Sequence, residues 1–135
     1  MSNSDLDGLD RRELGQAGED LAVRHLQRHG RKVLRRNFRA PKGGEVDIVC
    51  RHGDTLVFAE VKTRRGKGDG RPADSVTRDK EFLIARGALE WLRLLGNPPG
   101  ILFRFDIVEV IVEDGRAPEI EVLENAFELP EPFIY

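Results

Sequence analysis

The sequence predicts a single-domain α/β protein with a mixed β-sheet flanked by helices. Apolar residues recur at helical spacing in two segments, and strand-like segments follow each, in the order helix, three strands, helix, two strands. A chain of 135 residues has the length of one compact domain, and it contains no internal repeat. We therefore expect one domain over residues 11–135, preceded by a disordered polar tail over residues 1–10.

The first predicted element is an amphipathic helix from Arg11 to about His29. Its apolar residues recur at roughly helical spacing, and Gly30 supplies a stop. The segment KVLRRNFR (32–39) predicts a strand with charged residues on its outer side. The segment APKGG (40–44) predicts a loop, because proline and paired glycine interrupt both helices and strands.

Two apolar strands follow, about residues 45–52 and 55–63, joined at Gly53-Asp54. Glycine and a polar residue between two apolar segments are typical of a two-residue primed turn, which favours a tight antiparallel hairpin. The next segment, RRGKGDGRPAD (64–74), is too rich in glycine and charge to pack, so it predicts a mobile basic loop.

A second helix is predicted over about residues 76–95. It is apolar around much of its circumference, which predicts cover on more than one side, for example by another subunit against Trp91 and Leu94. Strands over residues 101–112 and 119–123 complete the sheet.

The charges are distributed unevenly along the chain. The net charge of −2 argues against a general nucleic-acid binder. Residues 31–80, however, contain fourteen Lys or Arg and seven Asp or Glu, whereas residues 106–135 contain nine acids and one Arg. A basic segment of this kind can provide a phosphate-binding face, although a solvated bipolar surface explains the same pattern.

The sequence gives no sign of secretion or of a membrane segment. Cys50 is the single cysteine and lies in an apolar segment, so we expect a small core residue in a reducing compartment. The acidic N-terminus has no apolar signal region, and no apolar segment approaches the ~20 residues of a membrane span. The expected location is the cytoplasm.

The hairpin carries charges where a buried sheet should be apolar. If Gly53-Asp54 forms the turn, Asp47 faces Glu60 and Glu45 faces Lys62. Residues directly opposite each other have Cβ atoms about 4.5–5.5 Å apart. Facing carboxylates repel each other, and more strongly when they are buried, so a cation should lie between them.

Two kinds of cation satisfy this requirement. Lys62 or an arginine of the basic loop can neutralise the acids in an ordinary salt-bridged strand end. Alternatively, Asp47 and Glu60 bind a divalent metal and Lys62 acts on a substrate. Mg²⁺ is typically held by one or two carboxylates with waters and substrate phosphates, and a facing Asp and Glu can provide them.

These residues also resemble a known pattern. Asp47, twelve residues and then Glu60-Val61-Lys62 resemble the D…(D/E)xK signature of restriction-endonuclease-like nucleases. Six blocks in order resemble the YraN-like family of uncharacterised bacterial proteins, which are predicted endonucleases related in fold to archaeal Holliday junction resolvases. The blocks are GQAGEDLAVRHL (15–26), RRNFR (35–39), GGEVDIV (43–49), LVFAEVKTR (56–64), DSVTRDK (74–80) and FRFDIV (103–108). The resemblance covers about residues 11–112 and implies a restriction-endonuclease-like fold.

The resemblance implies a role for each charged residue. Asp47 and Glu60 match the metal-binding acids, and Lys62 matches the lysine that orients or activates the attacking water. Glu19 matches the helical acid that completes the site in resolvase-like relatives, although a solvated helical glutamate is the alternative. Glu45 is either an accessory ligand or a partner for Lys62. The implied cofactor is Mg²⁺ or Mn²⁺.

Basic residues near the hairpin are the candidates for holding a nucleic-acid backbone. If Thr77 caps the second helix, Lys80 lies where the helix dipole disfavours a cation unless an anion binds there. An ordinary exposed lysine explains its position equally well. The other candidates are Arg35, Arg36, Arg39, Lys42, Arg64, Arg65, Lys67 and Arg71.

The sequence therefore predicts a metal-dependent endonuclease that hydrolyses DNA phosphodiesters, with branched DNA suggested by analogy to the resolvases. One alternative is a non-catalytic nucleic-acid-binding protein of the same fold. Another is a protein-docking domain that uses the acidic C-terminal half. A homodimer is also expected, because junction cleavage needs two cuts.

Overall fold

The computed structural model of the chain describes residues 6, 8–66 and 76–135. The predicted element order, helix, three strands, helix and two strands, is confirmed. The elements are α1 (Arg11–Arg28), β1 (Lys32–Arg39), β2 (Glu45–His52), β3 (Thr55–Arg65), α2 (Arg78–Leu94), β4 (Phe103–Val112) and β5 (Glu119–Phe127).

The five strands form one mixed sheet in the order β1-β2-β3-β4-β5. Neighbouring strands are antiparallel except β3 and β4, which are parallel. Parallel neighbours need a crossover connection, and α2 lies in that connection. The predicted fold class is thereby confirmed, since a five-stranded mixed sheet flanked by two helices is consistent with a restriction-endonuclease-like fold.

Each helix covers one face of the sheet. Leu14 and Leu26 of α1 belong to one apolar cluster, and Ile84 and Leu92 of α2 belong to another on the opposite face. Cys50 of β2 is fully buried in the α1-side cluster, as expected for a core residue. Within the described residues no helix is both long and apolar enough to cross a membrane.

Both helices begin at side-chain caps. Asp10 accepts a hydrogen bond from the Glu13 N–H at 2.8 Å and starts α1. Thr77 Oγ1 accepts one from the Lys80 N–H at 3.2 Å, so the predicted cap of α2 is confirmed and Lys80 is fixed in the first turn.

The structure describes parts of the two segments that the sequence predicts to be unstructured, the N-terminal tail and the basic loop. In the expected tail, Leu6 is fully buried, and its carbonyl accepts a hydrogen bond from Arg65 Nη2 at 3.0 Å, so the chain is packed there. Residues 1–5 and 7 lie outside the described residues. In the expected basic loop, Arg64 and Arg65 belong to β3, and residues 67–74, with Lys67 and Arg71, lie outside the described residues.

Two strands are longer than predicted. β3 continues to Arg65 because its parallel pairing with β4 extends to the Arg65–Val112 pair. β5 continues to Phe127, whose ring stacks on Phe105 at 4.7 Å. In both cases the partner strand stabilises residues whose own composition does not favour a strand.

The C-terminal segment covers part of α2. Phe133 packs against Phe82 with ring centroids 5.5 Å apart. Beyond this contact Leu94 is 61% exposed and Leu95 is 52% exposed. The expected cover on more than one side is therefore provided by this chain over part of the helix, and its C-terminal end remains open to solvent.

Candidate active site

The hairpin has the predicted register only near its turn. His52 pairs with Thr55, and the pairing continues to Ile48 and Ala59. Gly53 has φ +60°, as a primed turn requires of a first residue. The pairing ends there, so the predicted facing pairs Asp47–Glu60 and Glu45–Lys62 are not part of the strand ladder. The turn fixes the register of the neighbouring residue pairs, but this register does not continue to the charged end of the hairpin.

The ladder ends because the Asp47 side chain replaces a backbone partner. Asp47 Oδ2 accepts a hydrogen bond from the Val61 N–H at 2.8 Å. Val46 packs in the α2-side cluster, whereas Ile48 packs in the α1-side cluster. A regular strand would place these two residues on one face. β2 therefore changes face at Asp47, and the two strands separate around this carboxylate.

The backbone of β1 is also irregular opposite Asp47. Asn37 of β1 lies between the Arg36–Ile48 and Phe38–Val46 pairs, opposite Asp47. It has φ +52°, a left-handed conformation that asparagine tolerates better than most residues.

Glu60 is the most constrained carboxyl group of the site. It is 3% exposed, and its Oε2 has no hydrogen-bond partner among the described residues. Lys80 Nζ lies 3.5 Å from this oxygen, close enough for an ion pair but without hydrogen-bond geometry. Burial, together with a hydrogen bond to Asp47 and its charge, raises the pKa of Glu60 to about 9 against the opposing charges of Lys80 and Lys62. Without a bound cation, this carboxyl group holds its proton at neutral pH.

The cation that the sequence required is Lys80 of α2. Its Nζ donates a hydrogen bond to Glu45 Oε1 and lies near Glu60. Burial alone would lower the pKa of Lys80, but the hydrogen bond to Glu45 and the surrounding carboxylates raise it. The same hydrogen bond lowers the pKa of Glu45. Glu45 is thus the partner of Lys80.

Two glycines allow α2 to approach the start of β2. Gly44 has φ +113°, and a Cβ there would lie 2.6 Å from the Gly87 nitrogen. A Cβ at Gly87 would lie 2.8 Å from Val46 Cγ2 and 3.1 Å from the Glu45 carbonyl carbon. This backbone contact leaves no room for either side chain and brings Glu45 within reach of Lys80.

A third glycine brings α1 to the site from the other face. A Cβ at Gly18 would lie 1.9 Å from Thr63 Oγ1, so the helix backbone rests directly on β3. The next residue, Glu19, accepts hydrogen bonds from Arg36 Nε and Nη2, each at 3.2 Å, and from Asn37 Nδ2 at 3.0 Å. Burial raises the pKa of Glu19, and the charge of Asp47 adds to this effect, while the Arg36 hydrogen bond opposes it.

These elements enclose a cleft of about 340 Å³. It brings together Glu19, Asp47 and Lys62, three of the four predicted catalytic residues, whereas Glu60 is buried beside Asp47. The lining residues are Arg12, Gly15, Gln16, Glu19, Asp47, Val61, Lys62 and Thr63. Sequence reasoning missed Arg12 and Gln16, although their helical spacing from Glu19 places them on one side of α1.

The predicted nucleic-acid-binding residues have several different environments. Arg36 pairs with Asp20 at 2.6 Å as well as with Glu19, and Arg39 Nη1 lies 3.4 Å from Glu45 Oε2. Arg65 holds the N-terminal segment, Arg64 is half-buried in β3, and Lys80 faces the acids. Lys42 is exposed and lines a shallow cleft with Arg86 and Arg93.

The donor set fits Mg²⁺ better than a metal that needs a closed ligand cage. Within residues 6, 8–66 and 76–135 no three His, Cys, Asp or Glu side chains are grouped as a metal site. Asp47 and Glu60 supply two carboxyl groups, and an oxygen of Glu60 lacks a hydrogen-bond partner among those residues. Mg²⁺ needs only one or two carboxylates when waters and phosphate oxygens complete its shell. Glu19 is held by Arg36 and Asn37 and does not converge on Glu60.

Comparison with known proteins places the chain among a group of bacterial relatives. The model of Uncharacterised protein family UPF0102 matches residues 18–110. A UPF0102 protein of Geotalea uraniireducens is 45% identical over 91% of this chain and 95% of its own length. Those of Geobacter sulfurreducens and Rhodococcus jostii are 48% and 46% identical over 86% and 84% of this chain, and over 89% and 95% of their own lengths.

Proposed function

The chain belongs to the UPF0102 family, and from its cleft we propose that it is a metal-dependent endonuclease that hydrolyses phosphodiester bonds in DNA. The observation that carries the proposal is the contact between Asp47 and a buried Glu60 beside Lys62. Burying adjacent carboxyl groups destabilises a fold, and strongly shifted pKa values in a cleft are typical of functional sites. A bound divalent cation would offset this cost, because it would neutralise the two adjacent carboxyl groups.

Asp47 and Glu60 are the residues that would hold Mg²⁺ or Mn²⁺. When bound, the ion would neutralise charge on the scissile phosphate and lower the pKa of a coordinated water. Glu19 is a further ligand only if Arg36 and Asn37 release its carboxylate. The Asp47–Val61 hydrogen bond orients the Asp47 carboxylate, since one of its oxygens is fixed by the backbone of β3.

The other side chains of the cleft would act on the nucleic acid. The Lys62 ammonium, which lines the cleft, would stabilise the negative charge that develops on the phosphate. Lys80 neutralises Glu45, which limits the repulsion that an incoming phosphate meets. Arg12 lines the cleft, and the exposed Arg35, Arg39 and Lys42 extend this basic character outside it. Phosphate contacts fix register without reading sequence, so we propose recognition of DNA shape, with branched DNA by analogy.

A second copy of this chain is the proposed partner for the open end of α2. A cleft of about 390 Å³ there is lined by Trp91, Leu95 and Leu34, among others. Arg51 and Asp54, which have opposite charges, lie on the same lining and are exposed. In a two-fold interface that pairs these two residues, each would face the partner's copy of the other, so the patch would be self-complementary.

One assay tests the catalytic proposal. Supercoiled, linear and four-way-junction DNA are incubated with the protein in Mg²⁺ or Mn²⁺, and then with a chelator. We expect metal-dependent cleavage that falls by at least roughly 100-fold in Asp47→Asn and in Glu60→Gln. These variants keep the side-chain shapes, and Glu128→Gln, at an exposed position just after β5, is the matched control.

Each other outcome has a definite meaning. Cleavage that persists in both site variants would come from a contaminating nuclease and would reject the assigned site. Salt-sensitive DNA binding without cleavage, unchanged in Asp47→Asn, would favour the non-catalytic nucleic-acid-binding protein.

A further inference from the structure

Gly15 lies inside α1 at a position where the fold gains nothing from a glycine. It follows the first turn of an 18-residue helix, and its φ is not in the left-handed region. Glycine destabilises a helix interior relative to alanine, because it loses more backbone freedom on folding. A reason for glycine here must therefore come from space.

The parts of the chain that the structure describes do not fill that space. A Cβ built at Gly15 meets no heavy atom of residues 6, 8–66 and 76–135 within 4 Å, whereas one at Gly18 would lie 1.9 Å from Thr63 Oγ1. The two glycines, three residues apart on one helix, thus differ in how much space surrounds them. Gly18 is required by helix packing on β3, and Gly15 is open on the side where its side chain would project.

That open position is a wall of the candidate active site. Gly15 lines the same cleft as Asp47 and Lys62, and its exposed neighbours Arg12 and Gln16 line it too. Any side chain at residue 15 would extend into this cleft. A glycine permits close approach of a ligand backbone to the helix.

We infer that Gly15 keeps this wall bare so that the sugar–phosphate backbone of a bound nucleic acid can lie directly against α1. The inference rests on the proposed function for the identity of the ligand. Its chemistry suits the lining, since Arg12 and Lys62 offer cationic groups to phosphates and Gln16 offers hydrogen bonds to phosphate or sugar oxygens. Gly15 is thus a specificity-determining residue that acts by admitting a bulky backbone.

The test compares three variants: Gly15→Ala, Gly15→Leu and Gln27→Leu, the last adding the same side chain to an exposed part of α1 outside the cleft. Thermal denaturation measures folding, and fluorescence anisotropy with labelled duplex and four-way-junction DNA, in chelator and low salt, measures binding. Cleavage is measured separately with Mg²⁺. We expect Gly15→Ala to raise Tm by roughly 4 °C, in line with its gain in helix propensity.

Gly15→Leu should keep or raise Tm while it weakens DNA binding by roughly tenfold or more, and Gln27→Leu should bind as the wild type does. If Gly15→Leu folds and binds within twofold of the wild type, the inference is overturned, even if the wild type cleaves DNA. If the wild type binds without cleaving and Gly15→Leu loses binding, the nuclease proposal fails and the inference stands. A wild type that binds no DNA rejects both.

Discussion

Lys80 Nζ lies 3.5 Å from Oε2 of Glu60, although Glu60 lies in the middle of β3 and Lys80 lies in the first turn of α2. The lysine belongs to the first turn of a helix, where the helix dipole disfavours a cation. Its position is explained by the carboxyl groups of Glu45 and Glu60. Lys80 thus supplies a positive charge to the acids of the site without any bound metal or substrate.

The Lys80–Glu60 contact predicts non-additive stability effects. In chelator at about pH 10, where Glu60 is ionised and Lys80 keeps its charge, Lys80→Met should lower the free energy of unfolding by about 1–3 kcal/mol, because it leaves the carboxylates of Glu45 and Glu60 without their cation. The loss should be smaller in a Glu60→Gln background. Urea denaturation of both single variants and the double variant measures the coupling, with Lys42→Met as the exposed control. Strict additivity would contradict the contact.

The raised pKa of Glu60 predicts the sign of a pH effect. The group titrates near 4.5 when unfolded and at about 9 when folded, so between these values the folded state binds more protons. The stability of the wild type should therefore decline as pH rises through this range, while Glu60→Gln lacks the decline. The Tm advantage of Glu60→Gln in chelator should be near zero at pH 4.5 and several degrees at pH 8. An advantage that shrinks with rising pH would refute the assignment.

Close packing of α1 on β3 predicts that Gly18→Ala is destabilising. The new Cβ would lie 1.9 Å from Thr63 Oγ1 and 2.7 Å from Thr63 Cβ, so a rotation of the threonine cannot relieve the overlap. We expect a loss of about 1–3 kcal/mol, typical of overpacking. Thr63→Ala should recover part of this loss, because it removes Oγ1 and Cγ2. Chemical denaturation of the two single variants and the double variant distinguishes this partial rescue from independent effects.

The self-complementary patch predicts a dimer that charge changes can break and restore. Sedimentation equilibrium should detect dimers of the wild type, and Leu95→Glu should shift them to monomers, because it places a charge in an apolar contact. Arg51→Glu should weaken the dimer, and adding Asp54→Arg should restore it. Gln27→Glu on α1 serves as the control. A wild type that is monomeric at high concentration rejects this proposal.

Local rules were sufficient for most of the secondary structure. Helical periodicity predicts α1 and α2 to within about two residues, and Thr77 is a cap because its hydroxyl satisfies a free N–H. The turn at Gly53 sets the register from His52–Thr55 to Ile48–Ala59. Each of these features depends on residues close together in the chain.

The geometry at the charged end could not be predicted in this way. The change of face at Asp47 depends on Val46 packing against α2 while Ile48 packs against α1. The approach of Lys80 depends on Gly44 and Gly87, which are far apart in sequence. The sequence suggested that the acids need a cation, but its identity follows from tertiary packing.

The buried Cys50 allows the local unfolding of β2 to be measured by thiol labelling. Its side chain is fully buried in the apolar cluster between β2 and α1, and burial raises the pKa of its thiol, so a thiol reagent can react only when β2 is exposed. Since the chain contains one cysteine, the labelling signal comes from a single position in the strand that also carries Asp47. Labelling kinetics with and without Mg²⁺ or DNA thus measure how strongly each ligand closes the strand that forms the site.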